Sequence, residues 1–122
     1  MTGKQKVKEI TNVSKRAKVA TLVATADTVF RRMKGLLGRK TIERGEALII
    51  TPCQSIHMLF MKFPIDVIFI DSKGIVVGLC AGIQPFKFSP FFSRAHSAIE
   101  TAVGAIQSSQ TRVGDCIQFH FH

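Results

Sequence analysis

PCQSIHMLFMKFPIDVIFIDSKGIVVGLC, residues 52–80, is the stretch that decides the fold. Its apolar runs are short, rich in Ile, Val and Phe, and punctuated by Pro52, Phe63-Pro64 and Ser72-Lys73-Gly74. That pattern predicts strands at 56–61, 65–71 and 75–80. The connections between them are too short for crossover helices, so the sheet is expected to be mainly antiparallel.

Working outward, residues 47–51 read as one more strand. Residues 84–93 (QPFKFSPFFS) form a Pro-broken loop carrying Phe86, Phe88, Phe91 and Phe92. Residues 96–103 read as a strand and 104–111 as a helical turn. In 116–121, Ile117, Phe119 and Phe121 alternate with Cys116, Gln118 and His120, the period of a strand with one face inward. Upstream, Val7–Ile10 fits an edge strand and Lys18–Ala24 a short one. Between them and residue 47, Val29, Phe30, Met33, Leu36 and Leu37 repeat at helical spacing behind an Asp27 cap, which predicts a helix over 27–37. The expected fold class is α+β: a mainly antiparallel, curled sheet approaching a small barrel, with one or two short helices.

Charge divides the chain. Residues 1–44 carry 12 Lys or Arg against Glu9, Asp27 and Glu43, whereas residues 45–122 carry five of each sign, so the net charge of +9 belongs to the N-terminal third. Residues 1–17 are accordingly expected to be a basic, partly flexible segment and residues 18–122 a single globular domain. A basic segment can meet nucleic acid or an anionic membrane, and equally can be a solvated tail and helix face. The three cysteines, Cys53, Cys80 and Cys116, cannot all pair with one another and form no C-x-x-C motif. Together with lysines at positions 4, 6 and 8 and no apolar leader, they point to a reducing, cytoplasmic setting.

Chemistry concentrates around Cys53, His57 and Asp66. On a strand over 53–61, Cys53, Ser55 and His57 share a face. If that strand forms a hairpin with the next, an odd sum of paired residue numbers puts His57 and Asp66 on one face and an even sum separates them. Converged, Cys53, His57 and Asp66 could serve as nucleophile, base and orienter, or as metal ligands. Apart, His57 and Asp66 are satisfied by backbone groups. Asp66 lies among Ile65, Val67 and Ile68, where a carboxylate is costly unless hydrogen-bonded. Asp71 and Asp115 read as turn residues, and Glu100 as an outward-facing strand residue. The phenylalanines from Phe86 to Phe92, lying between Lys87 and Arg94, could stack bases, meet a partner or tuck beneath their own loop. No cofactor or metal is expected.

RRMKGLLGR (31–39), PCQSIHMLFMKFPIDVIFID (52–71) and VGD (113–115) carry a family resemblance. The chain resembles the prokaryotic domain-of-unknown-function family 192 over residues 18–119. The family motif falls here on Arg32, Gly35 and Leu36, on Pro52, His57, Met58, Met61, Pro64, Asp66 and Phe69, and on Pro85, Glu100, Gly104, Gly114 and Asp115. The resemblance implies a small α+β domain on a curled antiparallel sheet, and no established activity. The Phe-rich loop after Pro85 and the basic N-terminus depart from the family pattern.

The functional expectation is a non-enzymatic binding module for a small ligand or protein, with Cys53, His57, Asp66, Phe86 and Phe88 as candidate binding residues. The alternatives are a hydrolase or metal-dependent enzyme centred on Cys53, His57 and Asp66, and nucleic-acid binding through the basic third.

Overall fold

IDVIFI (65–70) is buried at every position in the computed structural model, which describes residues 6–26 and 39–122. A strand that buries both its faces needs a covering layer on each side. The described elements are β1 (Val7–Asn12), β2 (Ala17–Ala20), β3 (Leu22–Ala26), β4 (Glu46–Ile50), β5 (Ile65–Ile70), β6 (Val76–Ile83), β7 (Ser97–Thr101), α1 (Ala105–Ser109) and β8 (Ile117–Phe121). They form a five-stranded sheet ordered β3-β4-β7-β5-β6 and a three-stranded sheet ordered β2-β1-β8. The described part of the chain is therefore mainly β, in two sheets with one short helix and no closed barrel.

The alternation along β5 shows what covers each face. Ile65, Val67 and Phe69 join Leu48, Ile50 and Ala98 in one apolar cluster, roofed by Ile56, Met58, Met61 and Phe63 of the preceding segment. Ile68 and Ile70 join Ala47, Ile49 and Ile99 in a second cluster, closed by Ile10, Val19 and Ile117 of the three-stranded sheet. One face of the larger sheet is thus covered by strands and the other by irregular chain.

Several sequence expectations are met and several are corrected. Among the described residues all strand pairings are antiparallel except β3 with β4, which run parallel from Leu22↔Glu46 to Ala26↔Ile50. The connection between them is long enough to return the chain in the same direction. The helix expected over 27–37 lies outside the described residues. The strand expected over Lys18–Ala24 breaks at Thr21, and its halves, β2 and β3, enter different sheets. β1 is the centre of its sheet rather than an edge.

Residues 56–61 do not form a strand. Their inward side chains recur at 56, 58, 61 and 63, so the period of two slips between Met58 and Met61. A turn closed by Met61 N–H donating to the Met58 carbonyl (3.2 Å) absorbs the slip, with Phe60 at φ 68°.

The two ends of the described chain are tied together by a buried polar cluster. Asp115 accepts from Asn12 Nδ2 (3.0 Å), from Lys15 Nζ (2.8 and 2.9 Å) and from the Arg112 amide (2.9 Å). Asp115 is thus more than the turn residue its sequence context implied. The Lys15 ammonium, then the Asn12 amide, hold its carboxyl at about 2, against an ordinary 3.8. Because the folded state holds the lower value, this stabilisation is complete above about pH 4 and disappears as pH falls toward 2. At about 1.4 kcal/mol per unit it amounts to roughly 2 kcal/mol. Denaturant melts between pH 5 and 2 should show that loss, and Asp115→Asn should start from a lower plateau and remove this part of the slope.

Candidate functional site

Two loops that roof the larger sheet are sewn together along their backbones. Met58 N–H donates to the Lys87 carbonyl (2.8 Å) and Phe86 N–H to the Met58 carbonyl (2.8 Å). Ser89 N–H donates to Ile56 (2.9 Å), Phe92 N–H to Gln54 (2.8 Å) and Cys53 N–H to His96 (3.0 Å). Ile56 N–H donates to the Ser89 hydroxyl (2.9 Å), and His57 bridges Phe88 in antiparallel fashion. The partner of the 53–58 segment is therefore the Phe-rich loop, and β5 pairs with β6 and β7 instead.

That exchange settles where the expected site residues lie. Asp66 pairs with Thr101 and shares the face of Ile68, toward the three-stranded sheet. Ile56 and Met58, on either side of His57, pack on the other face with Val67 and Phe69. The expected hairpin that would have joined His57 to Asp66 is absent, and Asp66 sits across the sheet from the 53–63 segment. Its oxygens accept instead from the amides of Gly82 (2.8 Å), Gly104 (3.0 Å) and Ile106 (3.0 Å). Gly82, at φ 63°, marks the extra residue of a bulge in β6 opposite Asp66. The carboxylate supplies the acceptor that the distorted ladder lacks there.

Glu100 is also corrected: far from facing outward, it is 0% exposed. It pairs with Leu48 on one side and Val67 on the other, so it is the strand carboxylate on the face that the two loops roof.

Cys53 is buried, with Sγ donating to the Ser55 carbonyl (3.2 Å), and burial pushes the Cys80 thiol up. For Cys80 that is the opposite of the shift a thiolate nucleophile needs. Among the described residues no three His, Cys, Asp or Glu side chains are grouped to hold a metal ion. No disulfide joins Cys53, Cys80 and Cys116, so titration of the denatured, unreduced chain should count three thiols. A count of one would mean a bridge.

What the loops do assemble is an aromatic surface. Phe60, Phe86, Phe88 and Phe91 are 61%, 65%, 67% and 67% exposed. Phe92 alone turns inward, its ring 4.7 Å from that of Phe69. A Cβ at Gly78 would overlap the Phe92 ring, so a glycine at this point of β6 leaves room for it. Phe92 therefore pins the loop while its neighbours stay in solvent. Phe60 and Phe86 both occupy the left-handed region, at φ 68° and 66°. That conformation costs an aromatic residue on the order of 1–3 kcal/mol. Phe60 was not recognised from sequence; the slip in apolar period at 58–61 was the one available signal. Lys62, Lys87 and Arg94 flank the surface, and no acidic residue occurs in 47–65 or 72–99. Among the described residues no helix is long and apolar enough to cross a membrane.

The comparisons with known proteins agree with this fold. Residues 10–119 match the DUF192 family, described as uncharacterized ACR. A UPF0127 protein of Thermococcus sibiricus is 37% identical over 102 residues, which span 80% of this chain and 65% of that protein, less than two thirds of its length. A UPF0127 protein of Pyrococcus furiosus is 32% identical over 114 residues, 89% of this chain and 96% of the relative. The crystal structure of a protein of unknown function from Novosphingobium aromaticivorans superposes with a TM-score of 0.74 at 20% identity, covering 90% of this chain and 81% of that one. A structure from Sinorhizobium meliloti, described as a putative transcription regulator, superposes with a TM-score of 0.73 at 19% identity, covering 96% and 98%. At these identities the two structures speak for the fold alone. With the family matched across residues 10–119 and a relative 32% identical over 89% of this chain and 96% of its own length, the chain belongs to the DUF192, or UPF0127, family.

Proposed function

We propose that the chain is a non-enzymatic binding module whose contact surface is the aromatic cluster of Phe60, Phe86, Phe88 and Phe91, and that it docks an acidic, apolar segment of a partner protein. The observation that carries this reading is that two of these exposed phenylalanines, Phe60 and Phe86, hold left-handed backbone. Left-handed φ at an aromatic residue is retained against its cost when the position of the side chain matters. Exposed apolar side chains scattered singly are ordinary, whereas four on two interlaced loops form a contact patch. The flanking Lys62 and Lys87 select for negative charge on the partner.

Selection of a random peptide library on the immobilised chain tests this. It should enrich peptides that combine Asp or Glu with Leu, Ile or Phe, and these should lose at least tenfold in affinity for Phe86→Ser/Phe88→Ser. No enrichment, or affinity unchanged in the double variant, overturns the reading. The interleaving of these rings with Lys87 supports a second reading, in which they stack single-stranded bases. A labelled oligo-dT strand that binds tighter than any selected peptide, with steep salt dependence, would replace the first reading by the second.

A further inference from the structure

Away from the aromatic surface, a cleft of about 360 Å³ opens between the β2–β3 corner and the β7–α1 turn. Lys18, Thr21 and Arg44 line one side of it, and Val103, Gly104 and Ser108 the other. Among the described residues its ionic side chains are Lys18 and Arg44, and Thr21 adds a hydroxyl; the Ser108 hydroxyl donates to the Ala105 carbonyl (3.3 Å). The apolar remainder comes from short side chains such as Ala20 and Ala102.

We propose that this cleft is a binding site for a small phosphomonoester, its phosphate held between Lys18 and Arg44 and its organic body against the apolar wall. The inference is independent of the docking surface proposed above and uses none of its residues.

Three observations carry it. First, both walls are fixed before any ligand arrives. The Gly45 carbonyl accepts from Thr21 N–H (2.8 Å) and Leu22 N–H (2.9 Å), which ties the Arg44 turn to the β2–β3 corner. On the far side Asp66 holds the Gly104 and Ile106 amides at 3.0 Å each, which fixes the turn carrying Val103 and Gly104. A buried carboxylate is a costly way to hold a surface turn, and its product is a rigid cleft wall. Preorganisation of this kind lowers the entropy lost on binding.

Second, the cations are available. Arg44 forms no ion pair among the described residues. Lys18 meets Glu9 at 3.0 Å, but with 70% of the lysine side chain exposed this pair is easily exchanged. Of the two carboxylates in this turn, Glu46 is engaged by Arg39 at 2.9 Å and Glu43 is exposed beside Arg44. Third, the dimensions fit: the volume lies at the lower end of small-ligand sites. A guanidinium fork, an exchangeable ammonium and the Thr21 hydroxyl lining one cleft suit a dianionic tetrahedral head.

Isothermal titration of the full chain with phenyl phosphate at low ionic strength should give saturable one-site binding. Arg44→Gln and Lys18→Gln, both surface substitutions with unchanged melting, should each weaken it about tenfold or more, while Lys87→Gln should not. Amide shifts on titration should concentrate at Thr21, Gly45 and Gly104. Inorganic phosphate should bind the same site more weakly; equal affinity would remove the organic body from the proposal and leave free phosphate as the ligand. No saturable binding, or binding indifferent to Arg44 and Lys18, overturns the site.

Discussion

Phe69→Ala should lower the free energy of unfolding by about 3–5 kcal/mol, the cost of emptying a fully enclosed aromatic position. Phe69 is 0% exposed, lies on the interior strand β5 between β7 and β6, and packs on Phe92. Its removal leaves a cavity bounded by the sheet below and by the loops above. The sheet cannot collapse into it without breaking register with β6 and β7. The melting temperature should fall by roughly 10–20 °C, at about 3–5 °C for each kcal/mol in a domain of this size. The variant also reports on the loop. Phe92 loses its ring partner, so protease cleavage within residues 84–94 should accelerate more than global unfolding explains. A melt within 2 °C of the parent (a shift well under ~1 kcal/mol) would show that the ring is not enclosed as described.

The second large effect is expected at Asp66, and it is graded. In Asp66→Asn one oxygen survives, but the amide group that replaces the other turns its own hydrogens toward Gly82 N–H or toward the Gly104 and Ile106 N–H pair. At least one buried donor then faces another donor, at a cost of about 1.5–3 kcal/mol for a bond to a charged acceptor. Asp66→Ala leaves all three amides without their acceptor and should cost on the order of 3–5 kcal/mol, part of the loss being recovered by water. Urea melts of the two variants decide the matter. Alanine much worse than asparagine marks a structural carboxylate. A variant more stable than the parent would mean that Asp66 holds strain for another purpose.

How legible these features were depends on the range of the interactions that set them. Local pattern identified 65–70, 97–101 and 117–121 as strands, and the Ser72-Lys73-Gly74 turn. In that turn Asp71 accepts from the Lys73 (2.8 Å) and Ile75 (3.0 Å) amides. Each of these is decided by residues within one element. The misreading of 56–61 has a different origin. Ile56 and Phe60 favour extended chain and the flanking prolines bound a strand-length run, but the inward set changes phase at Phe60, and period counting over so short a run does not detect one slip. Glu100 was read as outward because charge ordinarily marks the solvent face; a sheet covered on both sides has no such face at β7. Whether His57 met Asp66 depended on which strand neighbours β5, and that choice is made by residues 76–83 and 97–101, remote in sequence. The Phe-rich loop was recognisable as a loop. Which of its rings would point inward was settled by Gly78, a residue with no side chain to attract notice.

The pairing of β1 with β8, Ile10 against Phe119 and Asn12 against Ile117, also sets the timetable of synthesis. When the ribosome has made residues 7–101, all five strands of the larger sheet exist in the growing chain. The layer that covers Ile49, Ile68 and Ile99 still lacks Ile117, and its central strand still lacks a neighbour. Until the last strand clears the exit tunnel, β1 presents an open edge and the sheet beneath it an incompletely covered apolar face, the two features that invite association between nascent chains. A chain lacking residues 117–122 should therefore be one that chaperones hold.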